Sequence, residues 1–401
     1  METAFRGRTD ALRYARFSSL IHNAAWLPVT LRILHVINTF DRGFGGGPAV
    51  VATLAAAQAA AGDRPRVACA GARRKLDAVA PTAAPRGAIL AVTRCGSLAG
   101  GLEALLADAD VVHVHDVWTP FTVGGLWRAH RHGVGTVLTP HGSLTAWGMA
   151  RSGLKKRLAL ALLWRRAIGT AGVIQALNPD EAREIAALVP GAHVAMVPNG
   201  VAQEAAGGAT PGAARHVLFL SHFARNKQPR LLIGAFASIA ARLPDLGLVM
   251  AGDDLGEVAA CRRLAADRGI ADRVRFAGPV HGQEKERLLS DALCVCLPTQ
   301  HEACSMTLLE ALARGIPVVT TPEARMPEVA RMGAGLVVAP TPAAFADAIL
   351  SLATDRGGRA AMADAGRALI ARDHDLTAIT ARVHGLYLAA IARRQPSRPV
   401  P

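Results

Sequence analysis

From Leu31 to Val338 the sequence alternates without interruption between short apolar runs and segments of helical length, and that alternation restricts the chain to a parallel sheet covered by helices. Arg32 to Asn38 (RILHVIN) reads as the first strand, Asp41 to Pro48 (DRGFGGGP) as a glycine loop, and Ala49 to Ala61 as an Ala-rich helix. Further strands are predicted at Val67 to Ala70, Ala88 to Val92, Val111 to His115, Thr136 to Thr139, Gly172 to Ala176 and His193 to Val197. These complete one α/β domain. Pro198-Asn199-Gly200 is a turn, and the small, Gly-rich residues after it suit a linker. The cycle then restarts, with strands at His216 to Ser221, Gly247 to Ala251, Val274 to Phe276, Leu293 to Leu297, Pro317 to Thr320 and Gly335 to Val338. Helices are predicted near Arg230 to Arg242, Glu257 to Arg268 and Gln283 to Ser290, then at Pro342 to Thr354, Gly357 to Arg372 and Leu376 to Arg393.

The expected organisation is an N-terminal extension (1–30), a first Rossmann-like domain (31–198), a linker (199–213), a second domain (214–375), a C-terminal helix (376–394) that crosses back to the first domain, and a tail (395–401). Two doubly wound domains joined this way leave a cleft between facing strand ends, a natural place for two substrates. With 401 residues, 51% hydrophobic and 19% charged, the chain has ample material for two cores and is not disordered. The net charge of +14 asks for an acidic partner: nucleotide phosphates, nucleic acid or an anionic membrane. Aromatics are only 4% and no nucleic-acid motif is present, so nucleic acid is excluded. The six cysteines show neither CxxC nor zinc spacing and read as reduced thiols of a reducing compartment. Phe17 to Leu31 follows several arginines but carries Ser, His, Asn and Pro, and reads as a cytosolic extension, not a signal peptide. Gly43 to Gly62 is uncharged yet rich in Gly and Ala and broken by Pro48, so it reads as no membrane span.

Chemistry concentrates in Pro298 to Thr321 (PTQHEACSMTLLEALARGIPVVTT). Glu302 falls in the loop at the carboxyl end of a strand, where open α/β sheets bind ligands, and Glu310 falls in the helix that follows. Ser305 or Thr307 is placed to cap that helix, and Gly315 to end it. For Glu310 there is a purely local reading as well: Thr307-x-x-Glu310 fits a capping box and Glu310 with Arg314 an i,i+4 ion pair. Glu302 has no local partner. His113 and His115 share one strand face, but no third ligand stands near them in sequence, so no metal is assigned. Gly45, Gly46 and Gly47 allow close backbone approach to an acceptor or phosphate, or serve turn chemistry alone; no GxGxxG accompanies them, so a dinucleotide fingerprint is excluded.

Taken in order, the GGGP loop at Gly45 to Pro48, VHVHD at Val112 to Asp116, TPHGSL at Thr139 to Leu144, VPNGV at Val197 to Val201, FLSHFARNK at Phe219 to Lys227, MAGDD at Met250 to Asp254, RVRFAGPV at Arg273 to Val280 and the Glu302/Glu310 block resemble the group 1 (family 4) retaining glycosyltransferases. The resemblance runs from Leu31 to Tyr387 and implies the GT-B fold, an α/β architecture of two Rossmann-like domains whose parallel sheets face each other across a cleft. It implies transfer of a sugar from a nucleotide-sugar donor to a hydroxyl of a sugar or lipid-linked acceptor, in polysaccharide or glycoconjugate biosynthesis, with no metal or other cofactor. By the family pattern Glu310 accepts hydrogen bonds from the ribose hydroxyls, Glu302 lies against the donor sugar and its phosphate end, Lys227 contacts the diphosphate, and His141 faces the donor sugar. The backbone amides of Ala303, Cys304 and Ser305 would bind sugar hydroxyls or phosphate, and Gly252 and Val280 join the donor-binding set. Two departures stand out. Ala-Cys-Ser replaces the usual Gly-Phe-Gly, and His222 replaces an arginine, so that either a protonated His222 or Arg225 takes its place.

Without the resemblance Lys227 reads as a solvated surface lysine and His141 as a structural histidine. Two other functions share the fold: a nucleotide-sugar epimerase or phosphorylase, and a non-catalytic nucleotide-sugar-binding protein. Lys155 to Arg166 (KKRLALALLWRR) is basic at both ends with an apolar middle. It suits either peripheral contact with an anionic membrane at its cytoplasmic face or a helix with its apolar side packed inward.

Overall fold

The computed structural model describes residues 29–40, 46–71, 91–95, 101–150, 156, 158, 164–203 and 215–394. Most of the N-terminal extension, Gly45, most of Lys155 to Arg166, most of the linker and the tail lie outside them. Two compact units result, 1–199 with 376–401, and 200–375.

The first unit holds seven strands: β1 (Arg32–Thr39), β2 (Arg64–Gly71), β3 (Ala91–Arg94), β4 (Val111–His115), β5 (Gly135–Thr139), β6 (Val173–Ala176) and β7 (Val194–Met196). They form one sheet in the order β3-β2-β1-β4-β5-β6-β7, and the pairings are parallel. The second unit holds β8 (His216–Leu220), β9 (Gly247–Ala251), β10 (Val274–Gly278), β11 (Ala292–Leu297), β12 (Val318–Thr320) and β13 (Gly335–Val337), again parallel, in the order β10-β9-β8-β11-β12-β13. Both sheets reverse direction of growth beside their first strand, at β1/β4 and at β8/β11. At such switch points the loops leaving the carboxyl ends diverge and open a crevice for ligand.

The continuous apolar runs follow from burial on both faces. Every residue of β4, β5 and β8 is buried, as parallel strands covered by helices require. The last helix, Leu376–Ala392, belongs to the first unit and packs over β5 and β6. Gly135 and Gly172 let it come close: a Cβ on Gly135 would stand 2.9 Å from Ile391, and one on Gly172 3.3 Å from Ala390. Arg382 of this helix donates to the carbonyl of Met196 at 2.9 Å.

One expectation is corrected here. The first helix begins at Gly46, not Ala49, so Gly46 and Gly47 belong to its first turn instead of a loop. Pro48 explains the shift, because its missing N–H falls among the donors that a first helical turn leaves unpaired anyway.

Candidate functional site

At the β8/β11 switch point, Lys227 and Glu302 meet. Lys227 ends a 3-10 turn (Arg225–Lys227) after β8, and Gln228 then takes a left-handed conformation with φ of 46° before Pro229 opens the helix Pro229–Ile239. Such a conformation in a non-glycine residue is held by its surroundings and gathers at functional sites. The loop after β11 is tied to this turn by the Gln300 N–H, which donates to the carbonyl of Asn226 at 2.7 Å. The tie places the Lys227 ammonium in an ion pair with the Glu302 carboxylate, with only 16% and 13% of the two side chains exposed. Lys227 is therefore no free surface lysine. Its charge sits where solvent screens it little.

His222 lies beside this pair. Its Nδ1 stands 3.6 Å from Asp253, and burial pushes its pKa down against the pull of Asp253 and Glu302. Arg225 goes elsewhere, 89% exposed and 3.7 Å from Glu257, which pairs more closely with Arg230 at 2.9 Å. Of the two substitutes open for the missing arginine, His222 is the one next to the lysine and the glutamate, but burial opposes the protonated form expected of it.

Ala303, Cys304 and Ser305 form the turn into the helix Met306–Ala313, with Ser305 as its N-cap, accepting from the Leu308 N–H at 3.5 Å. Thr307 makes no capping box; its hydroxyl donates to the carbonyl of Leu220 at 2.9 Å. Nor do Glu310 and Arg314 pair through their side chains. Arg314 forks onto Glu286 at 2.8 and 3.0 Å and donates to the backbone carbonyl of Glu310 at 2.8 Å. This leaves the Glu310 carboxylate to Lys285, 2.5 Å away on the helix Gly282–Ser290. The local reading of Glu310 thus fails, and a lysine that no spacing rule connects to it takes its place.

Gly252 sits at the end of β9 with φ of 143°, and a Cβ there would lie 2.0 Å from the Ser221 carbonyl oxygen, so no other residue fits. Its N–H donates to the carbonyl of Gly278 at 2.8 Å. Val280 is buried just past β10.

At the β1/β4 switch point of the first unit the chemistry differs. His35 on β1 stands opposite His113 on β4 in the parallel register, and His115 follows two residues on, on the same face. His141, in the loop after β5, adds a fourth ring, and it and Asp116 both adopt positive φ, 53° and 68°. The expectation of no third histidine beside His113 and His115 is corrected: strand pairing supplies His35, and the three rings could hold a metal ion.

The rings are joined by hydrogen bonds. His141 Nε2 to His115 Nδ1 and His115 Nε2 to His35 Nδ1 each span 3.0 Å, and His35 Nε2 lies 2.8 Å from Gln58 Oε1. Gln58 Nε2 donates to the Tyr387 hydroxyl at 2.8 Å, which lies 2.9 Å from His113 Nδ1. His113 Nε2 is 2.7 Å from the Thr139 hydroxyl, which donates to Gln175 Oε1 at 2.9 Å, and Gln175 Nε2 donates to the Val197 carbonyl at 2.8 Å. Burial lowers the pKa of all four histidines, to about 4 for His35 and His141, so the imidazoles are neutral at pH 7. Gln58, Gln175 and Tyr387 had no motif to announce them. A polar residue recurring inside apolar strands was the available signal for His35.

Two family models together match residues 44–369: one for glycosyltransferase family 4 over residues 44–204 and one for glycosyl transferases group 1 over residues 203–369. The chain belongs to the group 1 glycosyltransferases. Among curated relatives, a D-inositol 3-phosphate glycosyltransferase of Corynebacterium urealyticum is 31% identical over 208 residues, 48% of each chain. One of Thermobispora bispora is 29% identical over 334 residues, 76% of this chain and 77% of that protein. The chain spans about half the length of the first curated relatives it matches. Its fold is that of sucrose-phosphate synthase from Thermosynechococcus elongatus, with a TM-score of 0.71 at 20% identity over 90% of this chain and 99% of that one. It is also that of Anabaena HepE in complex with UDP-glucose, with a TM-score of 0.68 at 17% identity over 88% and 98%. The architecture is GT-B, two doubly wound α/β units.

Proposed function

We propose that the protein transfers a sugar from a nucleotide-sugar donor to an acceptor hydroxyl with retention of anomeric configuration, and that the second unit binds the donor. The observation that carries this reading is the Lys227–Glu302 pair at the β8/β11 switch point, with Glu310 on the adjoining helix. As the bond from the anomeric carbon to the phosphate oxygen breaks, negative charge grows on the leaving nucleoside diphosphate. Lys227, exchanging its partner Glu302 for that phosphate, stabilises the charge without help from a metal. The acceptor oxygen bonds to the anomeric carbon on the face the phosphate leaves, and its proton passes to the departing phosphate oxygen, so no enzyme nucleophile is needed. Glu302 holds the sugar end, and Glu310 accepts from the ribose hydroxyls, with Lys285 beside its carboxylate. His222 and the turn Ala303 to Ser305 border the phosphate, Gly252 and Val280 border the nucleoside, and His141 takes a sugar hydroxyl.

HepE, solved with UDP-glucose, makes UDP-sugars the first donors to try, and the curated relatives make a polyol or sugar hydroxyl the first acceptor class. A thermal-shift screen of UDP, GDP and ADP tests the donor site: one nucleotide raises Tm in the wild type and loses its effect in Glu310→Ala. Equal responses to all three, retained in that variant, would remove the assignment.

We place the reaction in the cytoplasm, in glycan assembly, with Lys155 to Arg166 meeting anionic lipid. Among the described residues no helix is long and apolar enough to cross a membrane. Within that segment Leu158 is 59% exposed, while Lys156 lies over the Trp118 ring at 4.7 Å. Sedimentation with phosphatidylglycerol vesicles falls in Lys155→Glu/Arg157→Glu on this reading, and unchanged binding contradicts it.

A further inference from the structure

The hydrogen-bonded chain in the first unit has one direction only, fixed from its far end. The Val197 carbonyl can only accept, so the Gln175 atom facing it is the amide nitrogen, and Oε1 faces Thr139. The single Thr139 proton then goes to Gln175, and Thr139 must accept from His113 Nε2–H. A neutral His113 with its proton on Nε2 has a lone pair at Nδ1, so the Tyr387 hydroxyl donates to it and must itself accept from Gln58. Turning Gln58 over would force protons onto both His113 nitrogens, a cation buried among three other imidazoles, which the surroundings oppose. Gln58 Oε1 therefore accepts from His35 Nε2–H, His35 Nδ1 from His115 Nε2–H, and His115 Nδ1 from His141 Nε2–H. All four histidines are Nε2–H tautomers.

We propose that this chain is a tautomer lock, with His115, His35, Tyr387 and His113 as positioning residues, which commits the His141 Nε2 proton inward and leaves Nδ1 as a hydrogen-bond acceptor only. His141 Nδ1 has no partner among the described residues. The chain ends on a backbone carbonyl, which takes no proton on to solvent, so it orients and does not conduct. A group bound at His141 must bring its own proton: a hydroxyl or amide N–H of a sugar fits, and a carboxylate or phosphate oxygen meets a lone pair. Assigning that group to a sugar rests on the transferase reading, whereas the tautomers do not.

The same directionality decides between a lock and a metal centre. A metal bound by His35, His113 and His115 needs three lone pairs turned to one point, but His35 Nδ1 and His115 Nε2 are already spent on each other at 3.0 Å.

Long-range 1H–15N correlation spectra of the 15N-histidine-labelled protein, assigned with single His→Gln variants, report each tautomer in the ligand-free protein. Expected are four neutral Nε2–H rings at pH 7, no stoichiometric metal in the purified protein, and a mixed His141 tautomer in Tyr387→Phe and in Thr139→Val, which cut the chain on either side of His113. For Tyr387→Phe the expected kinetic signature is kcat lower by about tenfold with donor KM within about twofold, the pattern of a positioning loss. A His141 Nδ1–H form in the wild type, a tautomer unmoved in both folded variants, or bound metal shifting the three inner rings would overturn the lock. If the lock is observed and no donor turns over, the transferase reading fails alone.

Discussion

The two switch points of this molecule share one strand order and carry opposite chemistry. At β8/β11 the side chains are charged and paired, Lys227 with Glu302 and Lys285 with Glu310, each less than 21% exposed. At β1/β4 they are neutral, four histidines linked to glutamine, tyrosine and threonine. Charge suits a group whose own charge changes during reaction, because a fixed ammonium can follow it. A neutral, directed chain suits a group that must be oriented and told apart by its protons. The fold supplies the same crevice twice, and the residues after each strand decide which task it serves.

The largest expected effect comes from removing the charge. Lys227→Ala should lower kcat by about 100- to 1000-fold, the usual loss for one group that stabilises developing negative charge. It should leave the histidine tautomers unchanged, and a perturbed His141 spectrum in this variant would break the separation of the two regions.

Acid should separate them next. Each of the four histidines has a folded pKa below its unfolded value, so its contribution is fully present above about pH 6.5 and is lost as pH falls from there towards 4. Every one that stays neutral in the fold steepens the decline by about 1.4 kcal/mol per pH unit. His384, raised by Asp63, acts in a different window: its contribution is fully present below about pH 6.5 and is lost as pH rises above that, so it adds almost nothing to this slope. Trp118, Trp127, Trp147 and Trp164 belong to the first unit and residues 200–375 hold no tryptophan, so tryptophan fluorescence in urea does not read the second unit. A midpoint that stays level from pH 6.5 to 4.5 would contradict the neutral chain.

Glu310→Ala should raise donor KM by about tenfold to 100-fold with kcat nearly unchanged, as expected for a contact made equally in ground and transition states. Smallest of all, Arg225→Ala should change kcat/KM by less than about twofold, since an exposed pair is worth about 0–1 kcal/mol. A large loss there would return the phosphate contact to Arg225 and take it from His222.

How much of this could be read beforehand depends on the range of the interaction. Strands such as Val111–His115 and His216–Leu220 announce themselves through local composition, and their predicted bounds differ from those found by no more than a residue. Lys227 and Glu302 were each singled out in the sequence, but their pairing depends on β8 and β11 being neighbours. The Glu310 capping box and ion pair failed because local spacing knows nothing of Lys285, which arrives from another helix. His35 escaped notice for the same reason: it neighbours His113 only through the β1–β4 register. Tyr387 reaches the chain from the last helix, the farthest of all in sequence, with 274 positions between it and His113.

In the proposed reaction Lys227 at the β8/β11 switch point drives departure of a nucleoside diphosphate from a sugar donor. Release of nucleoside diphosphate from the donor identified by thermal shift, followed with and without a polyol or sugar acceptor, tests it most directly. Expected are acceptor-dependent release by the wild type, a product of retained anomeric configuration by NMR, and loss of at least about 100-fold in Lys227→Ala with the donor still bound. Release at the wild-type rate by Lys227→Ala, or a product of inverted configuration, contradicts it.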